Sequence, residues 1–136
     1  MDFLDSMKVA ASGLRAQSGR MRIIAENIAN ADSTAMTKGA DPYRRKMPSF
    51  KAALDRETGV SVVEMGPIRR DQSDFKTRFE PGHPAANDEG YVKLPNVSTL
   101  IETVDMRQAQ RSYEANLNVI QSTRTMMQRT LDILRG

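Results

Sequence analysis

Leu4, Met7, Ala11, Leu14, Ser18, Met21, Ala25 and Ile28 follow one another in steps of three and four. That spacing lays a stripe along one side of a helix, with a single polar gap at Ser18. It commits the first thirty residues to one long helix that needs a partner along its length. Phe3, Ala10, Ile24 and Ala31 widen the stripe, and Asp2 and Asp5 sit where acids favour the positive end of the helix dipole. Gly13 and Gly19 each weaken an isolated helix by about 1 kcal/mol relative to alanine, so packing must offset them. Asn30 is the expected C-terminal cap, because asparagine tolerates the left-handed backbone. The stretch DSTAMTKGADPY then reads as loop.

The other end of the chain repeats the pattern. Pro95 and Asn96 provide a helix start, with Ser98 as an alternative cap. Leu100, Ile101, Val104 and Met106 lead to Tyr113, Leu117, Ile120, Met127, Leu131 and Leu134, a line interrupted by Arg124. No proline or glycine intervenes before Gly136, so this helix can reach roughly 55 Å. Between the helices, Val60, Val62 and Val63 favour a strand that turns at Met65-Gly66-Pro67. Phe75–Phe79 and Tyr91–Leu94 are two further short candidates. The expected fold is mainly α with a small β-rich middle. Long N- and C-terminal helices pack as an antiparallel coiled-coil-like hairpin, joined by extended loops and short strands. The expected divisions are 1–31, 32–96 and 97–136, with the two terminal helices forming one packing unit.

With 39% hydrophobic and 5% aromatic residues, any core is lean. The apolar faces, with Met126 beside Met127, are wider than a single hairpin buries, which points to further neighbours. No cysteine is present, which removes disulfides, thiolate catalysis and zinc–thiolate sites. No apolar run reaches the roughly 20 residues of a membrane span. The acids ahead of the first lysine in MDFLDSMKVAASG predict that no signal peptide is cleaved. His83, the only histidine, lies in PGHP with no nucleophile or orienting partner, so it reads as a loop residue. No ligand spacing for a metal and no phosphate-cradling glycine loop occurs, and no cofactor is expected. Arg44, Arg45 and Lys46 form a basic run beside Tyr43, yet the net charge is only +3. Nucleic acid is therefore not an expected partner, and the run reads as a solvated loop or the rim of an interface. The nine methionines suit core and interface packing.

Two small–amide patches remain: Ala25, Asn27, Ala29, Asn30 and Ala31 near the end of the first helix, and Ala115, Asn116 and Asn118 in the second. They read either as ordinary helix-surface residues or as packed joints, where alanine permits close helix crossing and buried amides fix register even at a cost in stability. The run MKVAASGLRAQSGRMRIIAENIANADS resembles the shared N-terminus of bacterial flagellar axial proteins, and RSYEANLNVIQSTRTMMQRTLDIL resembles their C-terminus. The intervening EPGHPAANDEGYVKLPNVSTLIETVDMRQAQ narrows the resemblance to the proximal-rod members of that family.

The resemblance implies a non-enzymatic subunit of the basal-body rod in the periplasmic space. Such a subunit is exported unfolded through the flagellar type III apparatus and meets copies of itself, other rod proteins, and ring and export-gate proteins. It implies that the terminal helices line a hollow helical tube while the middle faces outward. Asn27, Ala29, Asn30, Ala31, Ala115 and Asn116 match the family signature. Asp32-Ser33-Thr34 and Pro42-Tyr43-Arg44 depart from the common continuation into threonine and Gly-Tyr-Arg. The competing reading is a soluble coiled-coil adaptor or export accessory protein, which would share the helices without entering a tube.

Overall fold

The computed structural model describes residues 2–136. Helix α1 spans Phe3–Ala29 and helix α2 spans Thr99–Arg135. Between them lie six short strands: β1 (Lys46–Met47), β2 (Phe50–Leu54), β3 (Ser61–Met65), β4 (Arg69–Arg70), β5 (Lys76–Phe79) and β6 (Tyr91–Leu94). The fold is mainly helical, with the long terminal helices packed together and a small β-rich middle, as the periodicity predicts.

The strands pair as three separate antiparallel ribbons, β1 with β4, β2 with β3 and β5 with β6. Val62 and Val63 fall in β3, with Val60 just ahead of it, while the turn expected at Met65 begins a residue later. Gly66 N–H still reaches Ser49 O at 2.7 Å, and only then does the chain leave the pair. β2, with the sequence FKAAL, was not foreseen, because Lys51 and two alanines carry little strand preference of their own. Its partner supplies the order. The β2–β3 turn is built by Asp55, whose Oδ1 accepts the N–H groups of Glu57 and Thr58 at 3.0 and 3.1 Å. Gly59 then takes the left-handed φ of 69° that closes the turn.

α1 opens on a reciprocal cap. Asp2 Oδ1 accepts Asp5 N–H at 2.8 Å, and Asp5 Oδ2 accepts Asp2 N–H at 3.3 Å. The two acids therefore do more than face the helix dipole; they satisfy two donors that the first turn leaves open. At the other end the expected left-handed Asn30 is not found, since no described non-glycine residue has positive φ. Asn30 instead caps with its side chain, Nδ2 donating to Glu26 O at 2.9 Å. α2 begins directly after Ser98, the alternative cap, and Asn96 is left free for another use.

The chain divides into two compact units. The first comprises the N-terminal segment up to Met21, Ser49–Pro67 and Arg107–Gly136; the second comprises Arg22–Pro48 and Ile68–Met106. In the first unit Gly13 faces Asn116, while Leu4 and Met7 share a groove with Ile120, Met127 and Leu131, so the helices run antiparallel. Its fully buried helical positions are small: Ala10, Ser12, Gly13, Ala16, Ala109 and Thr123. Ser12 also ties down the β2–β3 ribbon, accepting Val63 N–H at 3.2 Å while donating to Val9 O at 2.7 Å. In the second unit Ile23, Ile24 and Val97 are buried, and Val92 packs with Ala85, Ala86 and Ala35.

Candidate assembly site

Asn27 is wholly buried, and its carboxamide is used to capacity. Oδ1 accepts Lys46 N–H at 3.0 Å and Tyr43 O–H at 2.7 Å. Nδ2 donates to Lys46 O at 2.8 Å and to Glu102 Oε2 at 3.2 Å. Two donors and two acceptors exhaust what the amide offers. Pairing with both backbone groups of Lys46, it holds α1 to the returning chain as a neighbouring strand would. Through Glu102 it reaches the first turn of α2.

Glu102 is almost fully buried, so its charge needs a counter-ion. Arg45 supplies it through Nε, and the same guanidinium lies 3.5 Å from Asp71 and 3.9 Å from Asp105. Asn96 completes the frame, accepting Arg45 N–H at 2.8 Å and donating to the carbonyls of Asp71 and Ser73 at 3.0 and 3.1 Å.

The basic run is therefore not the solvated loop that is one of its two sequence readings; its side chains are bonded within the chain. Arg44 places its guanidinium 4.2 Å from the Phe75 ring centre and donates to the same two carbonyls. Lys46 pairs with Glu26 at 2.9 Å, and that hydrogen bond holds the Glu26 carboxyl below its ordinary range. All three cations are turned inward because their partners arrive from elsewhere in the chain. Glu102 and Asn96 were missed for the same reason. The only local signal for Glu102 was an acid set between the apolar Ile101 and Val104.

The remaining signature residues play simpler parts. Ala29 is exposed and Ala31 half-buried beside the Asn30 cap. Asn116 bonds back to Ser112 O at 2.9 Å and fills the space over Gly13, while Ala115 is exposed.

None of the eight residues of the α1 stripe is fully buried. Met7, Ala11, Leu14, Met21 and Ile28 are half-buried, Ser18 and Ala25 are exposed, and Leu4 is 65% exposed. On α2, Tyr113, Ile120 and Met127 are half-buried, whereas Leu117, Leu131 and Leu134 are exposed. The stripes that dominate the sequence thus lie largely outside what one chain buries. His83 serves its turn, Nδ1 accepting Ala85 N–H at 3.0 Å. Among the described residues no group of metal-ligating side chains occurs, and no helix is long and apolar enough to cross a membrane.

Two long helical ends around a small β-rich middle are the fold that the resemblance to flagellar axial proteins implies. Family models agree: residues 7–35 match the flagella basal body rod protein model, and residues 88–133 match the C-terminal model of the flagellar basal body rod FlgEFG proteins. The chain is 52% identical to the flagellar basal-body rod protein FlgC of Agrobacterium fabrum over 95% of its own length and 93% of the relative's. It is 38% identical to FlgC of Salmonella typhimurium, covering 98% of both chains, and 38% identical to FlgC of Bacillus subtilis, covering 98% and 99%. The chain belongs to the FlgC family of flagellar basal-body rod proteins. Its function is that of a structural rod subunit, not an enzyme, and it assembles with other rod proteins.

Proposed function

We propose that the chain polymerises with its own copies and other rod proteins into the hollow shaft that passes torque from the membrane ring to the hook. The observation that carries this reading is the partial exposure of both helical stripes, from Leu4 to Ile28 and from Tyr113 to Leu134, in a chain of this family. Apolar side chains repeated along a helix are stabilised when a neighbour removes them from water, by roughly 25 cal/mol per Å². Different surfaces meeting from copy to copy generate a helical rather than a closed assembly. In this reading the terminal helices form the tube wall and residues 32–96 face outward. The chain reaches the periplasm unfolded through the flagellar type III apparatus, without signal cleavage, and meets ring and export-gate proteins at the base of the shaft.

Leu117→Asp tests the wall. Leu117 is already accessible in the single chain, so the variant folds and is exported. In the shaft the carboxylate would face apolar neighbours at a cost of several kcal/mol in every copy. Export is measured with hook assembly blocked, and complete rods are counted by electron microscopy of basal bodies. Normal rods containing the variant at normal copy number would overturn the proposal.

A further inference from the structure

The His83 side chain helps to close the turn in which it lies. Nδ1 accepts the N–H of Ala85 at 3.0 Å, and the residue is half-buried. Pro84 between them has no N–H to offer, so the bond falls two residues along, the spacing of an Asx turn. The backbone closes the same turn: His83 N–H donates to Glu80 O at 3.1 Å, and Ala86 N–H donates to His83 O at 3.0 Å. Ala85 and Ala86 are thereby buried against Val92, with Ala35 packed on the cluster. Ala85 O then accepts Gly39 N–H at 3.4 Å, which ties the turn to the loop that follows α1.

A ring nitrogen that accepts a hydrogen bond carries no proton, so the neutral imidazole holds its proton on Nε2. A second proton has only Nδ1 to occupy. It would turn the acceptor into a donor facing the Ala85 N–H, and the bond would be lost. The charged groups around the turn are committed to one another. Glu80 pairs with Arg78 at 3.0 Å, Asp41 pairs with Lys93 at 3.1 Å, and Asp88 pairs with Lys38. Glu89 is exposed, and Tyr91 sets its ring against Phe79 with centroids 5.2 Å apart. None of these carboxylates forms an ion pair with His83 that would reward a charged ring.

We propose that His83 is an acid-sensitive latch: the neutral ring closes the Glu80–Gly90 turn over Val92, and protonation at Nδ1 loosens it, freeing Ala85 and Ala86 from the cluster and Gly39 from Ala85. The order is present above the range in which imidazole ordinarily charges and is lost as pH falls through it. His83 is the only histidine and there is no cysteine. Between about pH 5 and pH 8 only the α-amino group ordinarily shares that titration. The latch belongs to the single chain and stands apart from the rod-subunit reading.

Nitrogen-15 NMR of the full chain between pH 8 and pH 5 tests it. Ring shifts should place the proton of the neutral form on Nε2, and the Ala85 amide should move with the titration of the ring. Protection of the Gly39, Ala85 and Ala86 amides, corrected for intrinsic exchange, should fall about tenfold over the same range. His83→Asn offers Oδ1 to Ala85 without a titrating group, so it should keep the protection seen at pH 8 throughout. His83→Ala should already show the lower protection at pH 8. A neutral ring protonated on Nδ1, or Ala85 and Gly39 amides indifferent to the ring's titration, overturns the proposal in the unaltered chain alone, whether or not either variant folds. So does a folded His83→Asn chain that loosens in acid as the unaltered chain does, because another group is then responsible.

Discussion

The two units are closed by different chemistry. The first buries small side chains, Ala10, Ser12, Gly13, Ala16, Ala109 and Thr123, and leaves Leu131, Ile133 and Leu134 54%, 80% and 77% exposed. The second buries Ile23, Ile24 and Val92 together with Asn27, Asn96 and Glu102. Alanine and glycine let helices approach closely, but alanine faces alone select register weakly. A carboxamide bonded to both backbone groups of one residue has a single register. Within the second unit, buried polar bonds fix how its parts of α1 and α2 align, while the first unit leaves its larger apolar groups exposed. Consistent with a looser fit, Gln17 Oε1 in the first unit is buried without a hydrogen-bond partner.

The sharpest way to break this contrast is Arg45→Ala. It leaves Glu102 buried beside Asn27 without its cation, and removing one partner of a buried pair costs about 3–5 kcal/mol. Hydrogen exchange should show lost protection across Arg22–Pro48 and Ile68–Met106, with a smaller change at Arg107–Gly136. Uniform loss over both units would show that the network does not act where it sits. Arg45→Lys should recover little, because a point charge cannot reproduce the planar fork that spans Glu102 and Asp71.

Asn27→Asp comes next. The shape is kept, as are the acceptors for Tyr43 and the Lys46 N–H. The two donors vanish, leaving Lys46 O unpaired and a second carboxylate facing Glu102. A loss of about 2–3 kcal/mol is expected from urea unfolding at neutral pH. Asn30→Asp removes only the cap to Glu26 O, at about 1 kcal/mol or less. Equal losses at the two positions would end the distinction drawn between the signature asparagines.

These two asparagines also show what the sequence carries. Both helices were legible because periodicity is a local signal that survives in a single strip of sequence. The strands at Val60–Val63 and Tyr91–Leu94 were legible for the same reason. β2 and the two-residue strands were not, since their order comes from partners rather than from their own residues. The inward basic run was illegible because its counter-charge, Glu102, lies 57 residues away from Arg45. Periodicity also selects apolar residues, so it marked the stripes and passed over the small and polar positions that a single chain buries. The family resemblance marked Asn27 without giving its reason, and the four bonds of its amide give it.

Gly13→Ala probes the first unit. A β-carbon at Gly13 would stand 2.7 Å from Asn116 Oδ1 and 2.8 Å from its Cγ. Moving Asn116 aside disturbs its bond to Ser112 O. Overpacking costs about 1–3 kcal/mol, partly offset by the roughly 1 kcal/mol gained in helix propensity. A net loss of about 1 kcal/mol is expected from denaturant midpoints. In an Asn116→Ala background the clash is gone, and Gly13→Ala should become stabilising. Additive effects would mean that the close approach is not what selects glycine.

The smallest effect is electrostatic and lies at the surface of the first unit. Lys8 Nζ pairs with Asp55 Oδ2 at 2.7 Å, joining α1 to the β2–β3 turn. The hydrogen bond from Lys8, with those from the Thr58 and Glu57 backbone, lowers the Asp55 carboxyl to about 2. An unfolded aspartate titrates near 3.9. A carboxyl held lower in the folded chain favours folding above its unfolded value, and that contribution disappears as pH falls through about 4 towards 2. Lys8 is raised above 10.5, chiefly by Asp55, so its share is lost only as strongly alkaline pH is reached. Asp55→Asn should therefore narrow the fall in the urea midpoint between pH 5 and pH 2.5, while altering hydrogen exchange of the second unit little. Both groups are partly exposed and screened by salt, so the difference should shrink in 1 M sodium chloride. An identical acid profile in the variant would show that the turn carboxyl carries none of the acid sensitivity. A change concentrated at Arg22–Pro48 would show that the two units are not separately stabilised.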